Sequence, residues 1–526
     1  MTVDLALVNA RVRTLDPDSP TTTAVGITGG QVTALGEDVG VATETIDLGG
    51  ATVVPGIVDS HVHPFMGALD ARGADLMDAR SLDDVRRLVQ EERARCAPHE
   101  WVLGFGLDYN AFEGIDVHGD LIADAAGGGA ALLTFIDCHT ALATPRALEL
   151  AGVDGARSFT EHAEVVVDAG GAPTGELREM AAMTLVRDAM PELTAAERYA
   201  LCAAQLKRFA AVGITGAHGM DGDLTTLDLL RELEGNGDLA IRLRMPYWVQ
   251  PDTPEEVWEA YAAHRDERGD RWEAGVVKFF IDGVIDSGTA WLVDPDTEGM
   301  GTESFWPDVD RYRRAVAFFA ERGFQCVTHA CGDGGVRFAL DTYKAAGAAP
   351  GVRHRIEHIE TIQPEDLGRF AAEGVIASMQ AQHMMWLEPD RSDNWSRRLG
   401  DERCDRAFRT RDLWDSGALV TLGSDWPVAR YDPREGMAAA RLRRAPGHPD
   451  RAAYDDQALT GLQALEGYTT RPAATAGRDA GRLRPGLPGD VTVFAADPVD
   501  VTPDELLQTP VVLTVVGGEV THRQGV

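Results

Sequence analysis

The chain has little lysine, no paired cysteine motif and no long apolar run. Its six cysteines are scattered without a C-x-x-C pair, which is typical of reduced thiols rather than of a disulfide framework. No stretch of about 18 apolar residues occurs, and no basic start is followed by an apolar segment, so a membrane span and a secretion signal are both unsupported. We therefore expect a cytoplasmic protein.

Basic residues are scarce relative to acidic ones. Lys and Arg together number 49 against 84 Asp and Glu, which gives a formal net charge of −35 in 526 residues. This excess of negative charge argues against nucleic acid or an anionic membrane as partner. The apolar content of 44% and the charged content of 25% are those of an ordinary globular protein. We expect a small-molecule substrate as partner, and a homodimer is left open.

Only three lysines occur, Lys207, Lys278 and Lys344, so arginine supplies nearly every other cation. Lys278 lies within the apolar run V-V-K-F-F-I-D-G, where an ammonium group without a partner is costly. The structural interpretation is a snorkelling or ion-paired lysine, with Asp282 as a candidate partner. The functional interpretation is a chemical role for an amine that arginine cannot fill.

The pattern of predicted elements divides the chain into three parts. Short strand patterns separated by Gly-Gly turns occur at both ends and predict one small β-domain from residues 1–55 and 476–526. Helix and strand patterns alternate through residues 56–475, which favours a parallel α/β architecture, most simply a (β/α)8 barrel. An irregular stretch at about 68–195 is too long for one crossover helix, so we interpret it as an inserted cap.

The run V-V-P-G-I-V-D-S-H-V-H-P, residues 53–64, ends in two histidines at positions i and i+2. Such residues of a strand point to the same face, so His61 and His63 would project together and can chelate one divalent metal. Pro64 closes the run, which predicts a strand that ends at a loop. In a parallel α/β barrel the catalytic residues lie at that end of the strands. A chance pair among 14 histidines is the structural alternative.

Two further apolar runs, and one short predicted strand of mainly charged and polar residues, end in a polar residue that can bind metal. His329 closes residues 324–329, His358 closes 353–358, and Asp425 follows 419–424. Singly, each histidine is more often a hydrogen-bonded core residue, and the aspartate is a candidate helix N-cap. Jointly, four histidines and a carboxylate make a donor set suited to Zn²⁺. Cys326 and Cys331, which flank His329, are either further ligands or small buried residues.

The runs V-V-P-G-I-V-D-S-H-V-H-P and L-V-T-L-G-S-D-W-P resemble the first and last barrel strands of the metal-dependent amidohydrolase superfamily. Within it they are most similar to amidohydrolase family 3, the YtcJ-like and N-substituted formamide deformylase-like branch. The resemblance extends from Val53 to about Asp497. It implies a distorted (β/α)8 barrel, a small β-sandwich domain built from both termini and an inserted cap.

The resemblance also implies a set of metal ligands. His61, His63 and Asp425 would hold one metal, and His329 and His358 a second. Lys278, carboxylated by carbon dioxide, would bridge the two ions. We expect one or two divalent ions, most simply Zn²⁺, with Mn²⁺ or Fe²⁺ as alternatives.

The implied reaction is hydrolysis of a C–N bond in a small amide-like compound, with N-substituted formamides as one substrate class. Asp425 would move protons between the metal-activated water and the leaving amine. Deamination, ester or lactone hydrolysis, and a lyase or isomerase step at the same site are alternatives, as is a catalytically silent binding protein. The residues that we expect to contact the substrate are His139, His218, Asp282, His383 and Trp426.

Two departures from the family pattern lie near the expected substrate. Relatives usually read D-G-x-x-x-S-R-T, where this chain has Gly288 in place of the arginine. The common H-A-x-G-D-R is here H-A-C-G-D-G, so Gly334 replaces a second arginine. We expect a substrate preference different from that of better-known relatives.

Overall fold

A computed structural model of the chain describes residues 2–112, 114–136, 138–159, 163–444 and 455–526. The chain folds as two compact units. The first unit comprises Met1–Pro64, Ala203–Asp425 and Tyr431–Val526, and the second comprises Phe65–Cys202 and Trp426–Arg430. The domain boundaries that we expect from the sequence remain predictions.

A sheet of eight parallel strands forms the centre of the first unit. Neighbouring strands pair in chain order, and the first and last strands approach each other, so that the sheet nearly closes on itself. The predicted (β/α)8 barrel is therefore confirmed. The barrel strands, here β1 to β8, are Ile57–Val62, Ile214–Gly219, Arg242–Trp248, Trp272–Phe280, Gln325–Ala330, Arg355–His358, Ile376–Met379 and Leu419–Leu422.

The run that ends in the two histidines is interrupted at Gly56. Residues Thr52–Pro55 pair with a strand of the terminal domain, whereas β1 begins at Ile57. A Cβ atom at Gly56 would lie 2.9 Å from Cβ of Asp490 and closer still to the side chain of Thr215. Only glycine fits where the chain passes from the terminal domain into the barrel.

Two sheets built from the chain ends form the predicted β-sandwich. Their inward side chains share one apolar core that includes Leu5, Val25, Val53, Val491 and Leu513. A sandwich composed of both termini is thereby confirmed. Its strands are, in sheet order, Gln31–Leu35, Val25–Thr28, Val3–Val8 and Ala42–Asp47, and then Glu519–Arg523, Val511–Val516, Val491–Phe494, Thr52–Pro55, Arg11–Arg13 and Thr21–Thr22.

Helices connect and cover the barrel strands. The helix Ala195–Ala211 runs from the second unit into the first. No helix in the described parts of the chain has the length and apolar character needed to cross a bilayer. The other α-helices of the first unit are Leu224–Gly235, Glu255–Ala263, Val309–Glu321, Asp333–Ala346, Pro364–Glu373, Asn394–Leu399, Asp401–Cys404, Thr410–Asp415, Pro433–Leu442, Gly461–Gly467, Thr470–Thr475 and Pro503–Gln508.

The second unit, which holds most of the inserted segment, has a sheet of its own. Its six strands in sheet order are Glu164–Val167, Pro173–Arg178, Thr140–Ala143, Ala131–Phe135, Val102–Leu107 and Ala74–Asp75. Its helices are Met66–Asp70, Leu82–Arg95, Asp120–Ala123, Pro145–Leu150 and Glu179–Arg187. Apolar side chains on both faces of this sheet form two separate cores.

Candidate metal centre

Three donor atoms from the two edge strands of the barrel sheet converge at the carboxyl-terminal end of the barrel. Oδ1 of Asp425 lies 3.1 Å from Nε2 of His61 and 3.3 Å from Nε2 of His63. Bonds of zinc length at tetrahedral angles place two ligand atoms about 3.4 Å apart. The three buried side chains therefore have the spacing that one divalent ion needs.

Backbone contacts between the two edge strands hold Asp425 in this place. The N–H of Asp425 donates to the carbonyl of His61 at 2.7 Å, and Asp59 accepts from the N–H groups of His61 and Ser424. A Cβ atom at Gly423 would lie 2.7 Å from Cβ of His61, so glycine permits this close approach. Asp425 itself has φ of 58°, a conformation rare outside glycine that is common at functional sites.

A second group of donors comes from β5 and β6. The rings of His329 and His358 lie 4.3 Å apart between centroids, and Nδ1 of His358 is 3.9 Å from Oδ2 of Asp425. That nitrogen is buried and has no hydrogen-bond partner among the described residues, which fits a metal ligand. Sγ of Cys331 lies 3.4 Å from Nε2 of His329, and His329, Cys331 and His358 form a second candidate ligand group.

His383 joins the candidate ligands as well. It follows β7, and its Nε2 lies 3.4 Å from Oδ2 of Asp425 without a hydrogen bond of suitable geometry in the described structure. Its other ring nitrogen is 3.6 Å from Glu360. His358, His383 and Asp425 form a third group with metal-ligand spacing. The contact between His383 and the substrate that we expect from the sequence remains a prediction.

Lys278 lies on β4 and is almost completely buried, with 1% of its surface exposed. In the described structure its ammonium has no hydrogen bond or ion pair, and it lies 5.0 Å from the ring centroid of Phe280. Burial lowers the pKa of Lys278 to about 8, although the carboxylates of Glu357 and Asp425 raise it. The ion pair with Asp282 that the sequence left open is not formed.

Glu357 and Arg355 are the parts of this site that sequence reasoning missed. Oε2 of Glu357 lies 2.6 Å from Nδ1 of His61, and the guanidinium of Arg355 donates to both oxygens of Glu357. A carboxylate that accepts the Nδ1 proton leaves Nε2 of a histidine free to bind metal. The detectable signal was a pair of opposite charges at i and i+2 of a predicted strand, which places both side chains on one face where they can form an ion pair.

Asp282 and His218 lie in the barrel but have partners of their own. The carboxylate of Asp282 accepts N–H groups of Trp291, Cys331 and Gly332 at 2.9 to 3.1 Å, and burial raises its pKa to about 8. Nδ1 of His218 lies 2.8 Å from Nη1 of Arg355. These contacts fix loop and barrel geometry, and the substrate contacts expected for both residues stay predictions.

His139 and Trp426 belong to the second unit. Nδ1 of His139 lies 2.9 Å from Glu179, and a Cβ atom at Gly67 would collide with the indole of Trp426. Asp137, two positions before His139 in the sequence, lies outside the described residues. The substrate contacts expected for His139 and Trp426 stay predictions.

An arginine from elsewhere in the chain occupies the space beside Gly288. The guanidinium of Arg398 lies where a side chain at position 288 would begin, and it pairs with Asp296 at 2.7 Å and Glu298 at 2.9 Å. At Gly334 a Cβ atom would lie 2.9 Å from the carbonyl oxygen of Trp291. The guanidinium of Arg398 therefore takes the place of the arginine missing at position 288. At position 334 there is no room for a side chain.

The protein has a nearly closed parallel barrel, and histidines and a carboxylate lie together at the carboxyl ends of its strands. This arrangement is typical of metal-binding α/β-barrel enzymes. The family model described as "Amidohydrolase family" matches residues 44–522. The chain therefore belongs to the amidohydrolase family, as its motifs predicted. Membership of this family supports metal-dependent hydrolysis in general.

Individual relatives agree with this assignment over nearly the full chain. YtcJ of Bacillus subtilis (strain 168), which is named as an amidohydrolase, is 26% identical over 92% of this chain and 91% of its own. The N-substituted formamide deformylase of Arthrobacter pascens is 26% identical over 99% of this chain and 98% of its own. An uncharacterised metal-dependent hydrolase from Pyrococcus horikoshii OT3 shares the fold with a TM-score of 0.73, at 22% identity over 95% of this chain and 99% of that structure.

Proposed function

We propose that this protein hydrolyses a C–N bond of a small amide, with N-substituted formamides as the first class to test. One observation carries the proposal, namely that the Nε2 atoms of His61 and His63 lie 3.1 and 3.3 Å from a single oxygen of Asp425, the spacing of atoms that share one metal ion. The reaction consumes one amide and one water and releases one carboxylic acid and one amine. The relative named as a formamide deformylase supports the choice of formamides.

The donor set supports one or two divalent ions, and zinc fits nitrogen and carboxylate donors best. His61, His63 and Asp425 would hold one ion, and His329 and His358 the second. A divalent ion bound here would lower the pKa of a water molecule and would polarise the carbonyl group under attack. Cys331 and His383 lie close enough to complete either coordination shell.

Asp425 is the residue that we assign to proton transfer. Its Oδ2 faces His358 and His383, whereas its Oδ1 faces His61 and His63. One oxygen can therefore bind metal while the other accepts a proton from the attacking water and returns it to the leaving nitrogen. Glu357 accepts the Nδ1 proton of His61, which would leave the Nε2 lone pair of that histidine free to bind a metal ion.

We further propose that Lys278 carries a carbamate that bridges the ions. Carboxylation needs a neutral amine. Burial favours that form by lowering the pKa of Lys278 to about 8, and Lys278 has no ion-pair partner in the described structure. Lys278 first loses one proton to become a neutral amine, whose Nζ then attacks carbon dioxide and loses a second proton. In all, one carbon dioxide is taken up, two protons leave, and a buried cation becomes an anion. An anion there would face the histidines that the second ion needs.

The experiment that tests the function combines metal analysis with product analysis. Protein purified without added metal is assayed for zinc, manganese and iron per chain, and is then incubated with a panel of N-substituted formamides and simple amides. Equal amounts of acid and amine are the expected products. Release of ammonia from a ring would indicate deamination instead. Opening of an ester or lactone would indicate ester or lactone hydrolysis, and an isomer formed without uptake of water would indicate an isomerase step. No metal after reconstitution would favour a binding protein.

A further inference from the structure

A cavity of about 340 Å³ opens at the amino-terminal end of the barrel, the end opposite to the candidate metal ligands. The first residues of β3 and β4 line it, together with the segment between Thr469 and Arg482. Its volume falls within the range of small-molecule sites. No step of the proposed hydrolysis uses this cavity.

Positive charge is concentrated around this cavity in a chain with a net charge of −35. The lining contains three acidic residues, Asp270, Glu273 and Asp490, against twice that number of arginines. The arginines are Arg242, Arg244, Arg268, Arg271, Arg478 and Arg482.

The ion pairs of this lining leave arginines without a full partner. Arg242 is matched, because it binds both oxygens of Asp490 at 2.7 and 3.2 Å. Glu273 must serve two arginines, with one oxygen 3.2 Å from Arg244 and the other paired with Arg478. No carboxylate among the described residues pairs with Arg268.

The unsatisfied polar atoms of the lining are all hydrogen-bond donors. Nε1 of Trp272 and Nε of Arg482 are buried without a hydrogen-bond partner, and Trp272 is only 4% exposed. Nε of Arg244 makes no well-directed hydrogen bond and has as its charge partner only the shared Glu273, 3.2 Å away. No buried acceptor of the lining residues is unsatisfied, and the structure describes all of them. Burial lowers the pKa of Arg244 to about 10, with Arg355 and Arg478 adding to the effect. An occupant that supplies acceptor oxygens and negative charge would satisfy these groups.

A purely structural reading assigns the arginines to ion pairs that join the barrel to the terminal sandwich. Arg242 with Asp490 and Arg271 with Glu519 fit that reading. Ion pairing between the barrel and the sandwich does not explain why Arg268 has no carboxylate partner or why two arginines share Glu273. Nor does it explain the unpaired indole N–H of Trp272. These residues give the cavity the chemistry of an anion site.

We propose that this cavity binds a small oxyanion, a phosphate or a carboxylate. Guanidinium groups match the planar, forked geometry of both anions and can bind each with two hydrogen bonds. Trp272, the first residue of β4, also lines the cavity, and its indole N–H has no hydrogen-bond partner. The site is separate from the metal centre and lies at the other end of the same strands.

Two tryptophans report on the two ends of the barrel. Trp272 lines the cavity, and the ring of Trp248 lies 6.3 Å from that of His63 at the metal end. The metal-loaded protein is labelled with 5-fluorotryptophan, and its ten ¹⁹F signals are assigned for these two positions with Trp272→Phe and Trp248→Phe. Sodium phosphate, sodium formate and sodium chloride are then titrated at constant ionic strength.

The expected result is a saturable shift of the Trp272 signal with phosphate or formate and none with chloride. The anion that saturates at the lower concentration identifies the class. A shift confined to the Trp248 signal would assign anion binding to the metal end and overturn the proposal. Absence of a saturable shift at Trp272 with either oxyanion would also overturn it.

A charge-neutralised variant tests the arginines directly. Arg268→Gln combined with Arg478→Gln removes two exposed cations of the lining and is expected to weaken oxyanion binding about tenfold or more. The matched control, Arg87→Gln with Arg313→Gln, removes two exposed arginines elsewhere and is expected to leave binding unchanged. Equal weakening in both double variants would mean that net charge alone attracts the anion. The wild-type titration decides the proposal if the double variant misfolds.

Discussion

The two ends of the barrel carry unsatisfied polar groups of opposite kinds. At the carboxyl-terminal end the unpaired atoms include nitrogens of His358 and His383 that face Asp425. At the amino-terminal end they include the N–H donors of Trp272 and Arg482, and Nε of Arg244 has only the shared Glu273 beside it. This difference supports our two proposals, a cation site at one end and an anion site at the other. Strand direction alone does not produce this difference, since the side chains at each strand end decide it.

Charged residues connect the two ends through the barrel interior. His218, which lines the cavity, contacts Arg355; Arg355 binds Glu357, and Glu357 binds His61. Barrel interiors are usually filled by branched apolar side chains. A buried chain of this kind needs every member paired, because an uncompensated charge in the interior is costly.

The largest expected effect comes from Asp425→Asn. The amide keeps the size of the side chain but cannot accept the proton of the attacking water, so turnover is expected to fall about 10³-fold. Steady-state kinetics on purified, metal-reconstituted protein measures the change. Asp310→Asn, on the exposed face of helix Val309–Glu321, is the matched control and should keep full activity. A folded Asp425→Asn protein with normal turnover would remove the proton-transfer role.

Lys278→Arg separates a bridging carbamate from a structural cation. Guanidinium cannot be carboxylated, so the second metal should be lost and turnover should fall about 10²-fold, the scale of one metal ion's contribution. Metal analysis and the ¹³C signal of protein equilibrated with ¹³C-labelled bicarbonate check this. Lys344→Arg exchanges an exposed lysine that pairs with Glu373 and should change neither measurement. Unchanged metal content in Lys278→Arg would leave Lys278 with a structural role.

Glu357→Gln tests the link between the barrel interior and the metal end. Loss of the carboxylate that orients a metal-binding histidine is expected to weaken metal affinity about 10- to 100-fold. Competition with a chromophoric chelator measures the affinity, and the control is Glu365→Gln, an exposed partner of Arg337. If Glu357 only balances the charge of Arg355, thermal stability will fall while metal affinity stays at the wild-type value.

The smallest effect concerns His354, four residues before His358 and at the opposite end of the same strand. Its Nδ1 accepts the N–H of Cys326 at 3.1 Å and its Nε2 donates to the carbonyl of Gly347 at 2.8 Å, and burial lowers its pKa. Below its unfolded pKa of about 6.5, the unfolded chain binds a proton that the folded protein does not. Stability therefore falls as pH decreases, by at most about 1.4 kcal/mol per pH unit.

His354→Gln should remove this contribution, since glutamine has no proton to bind. Urea unfolding of the metal-free variant and wild type at several values between pH 7 and pH 5 gives the two slopes. A shallower slope in the variant is expected. Identical slopes would mean that His354 is protonated in the folded protein, as an exposed histidine would be.

Much of the fold could be predicted because its signals are local in sequence. The alternation of strands and helices predicted the barrel, and the glycine turns and β-patterns at both ends predicted the composite sandwich. His61 and His63 were found because the period of a strand places i and i+2 on one face. His329, His358 and Asp425 were located because each lies at the end of a predicted strand, where a parallel barrel carries its catalytic residues.

The residues that orient these side chains could not be predicted in this way. Glu357 meets His61 across 296 positions of sequence, and Arg398 reaches the space beside Gly288 from a helix more than a hundred residues later. The break at Gly56 is visible only when Thr215 and Asp490 are packed against it. Each of these contacts depends on which strands become neighbours when the sheet closes.

By itself the amino-acid sequence determined the barrel and the sandwich of both termini, since these follow from periodicities of two and 3.6 residues. It also identified the candidate ligands at the strand ends. Only the tertiary structure decided which oxygen of Asp425 faces which histidine and which arginines share Glu273. It also decided that a cavity of unpaired donors lies opposite the metal end. The physical reason is that hydrogen bonds and ion pairs act over about 3 Å, so they depend on strand register and close packing between distant segments.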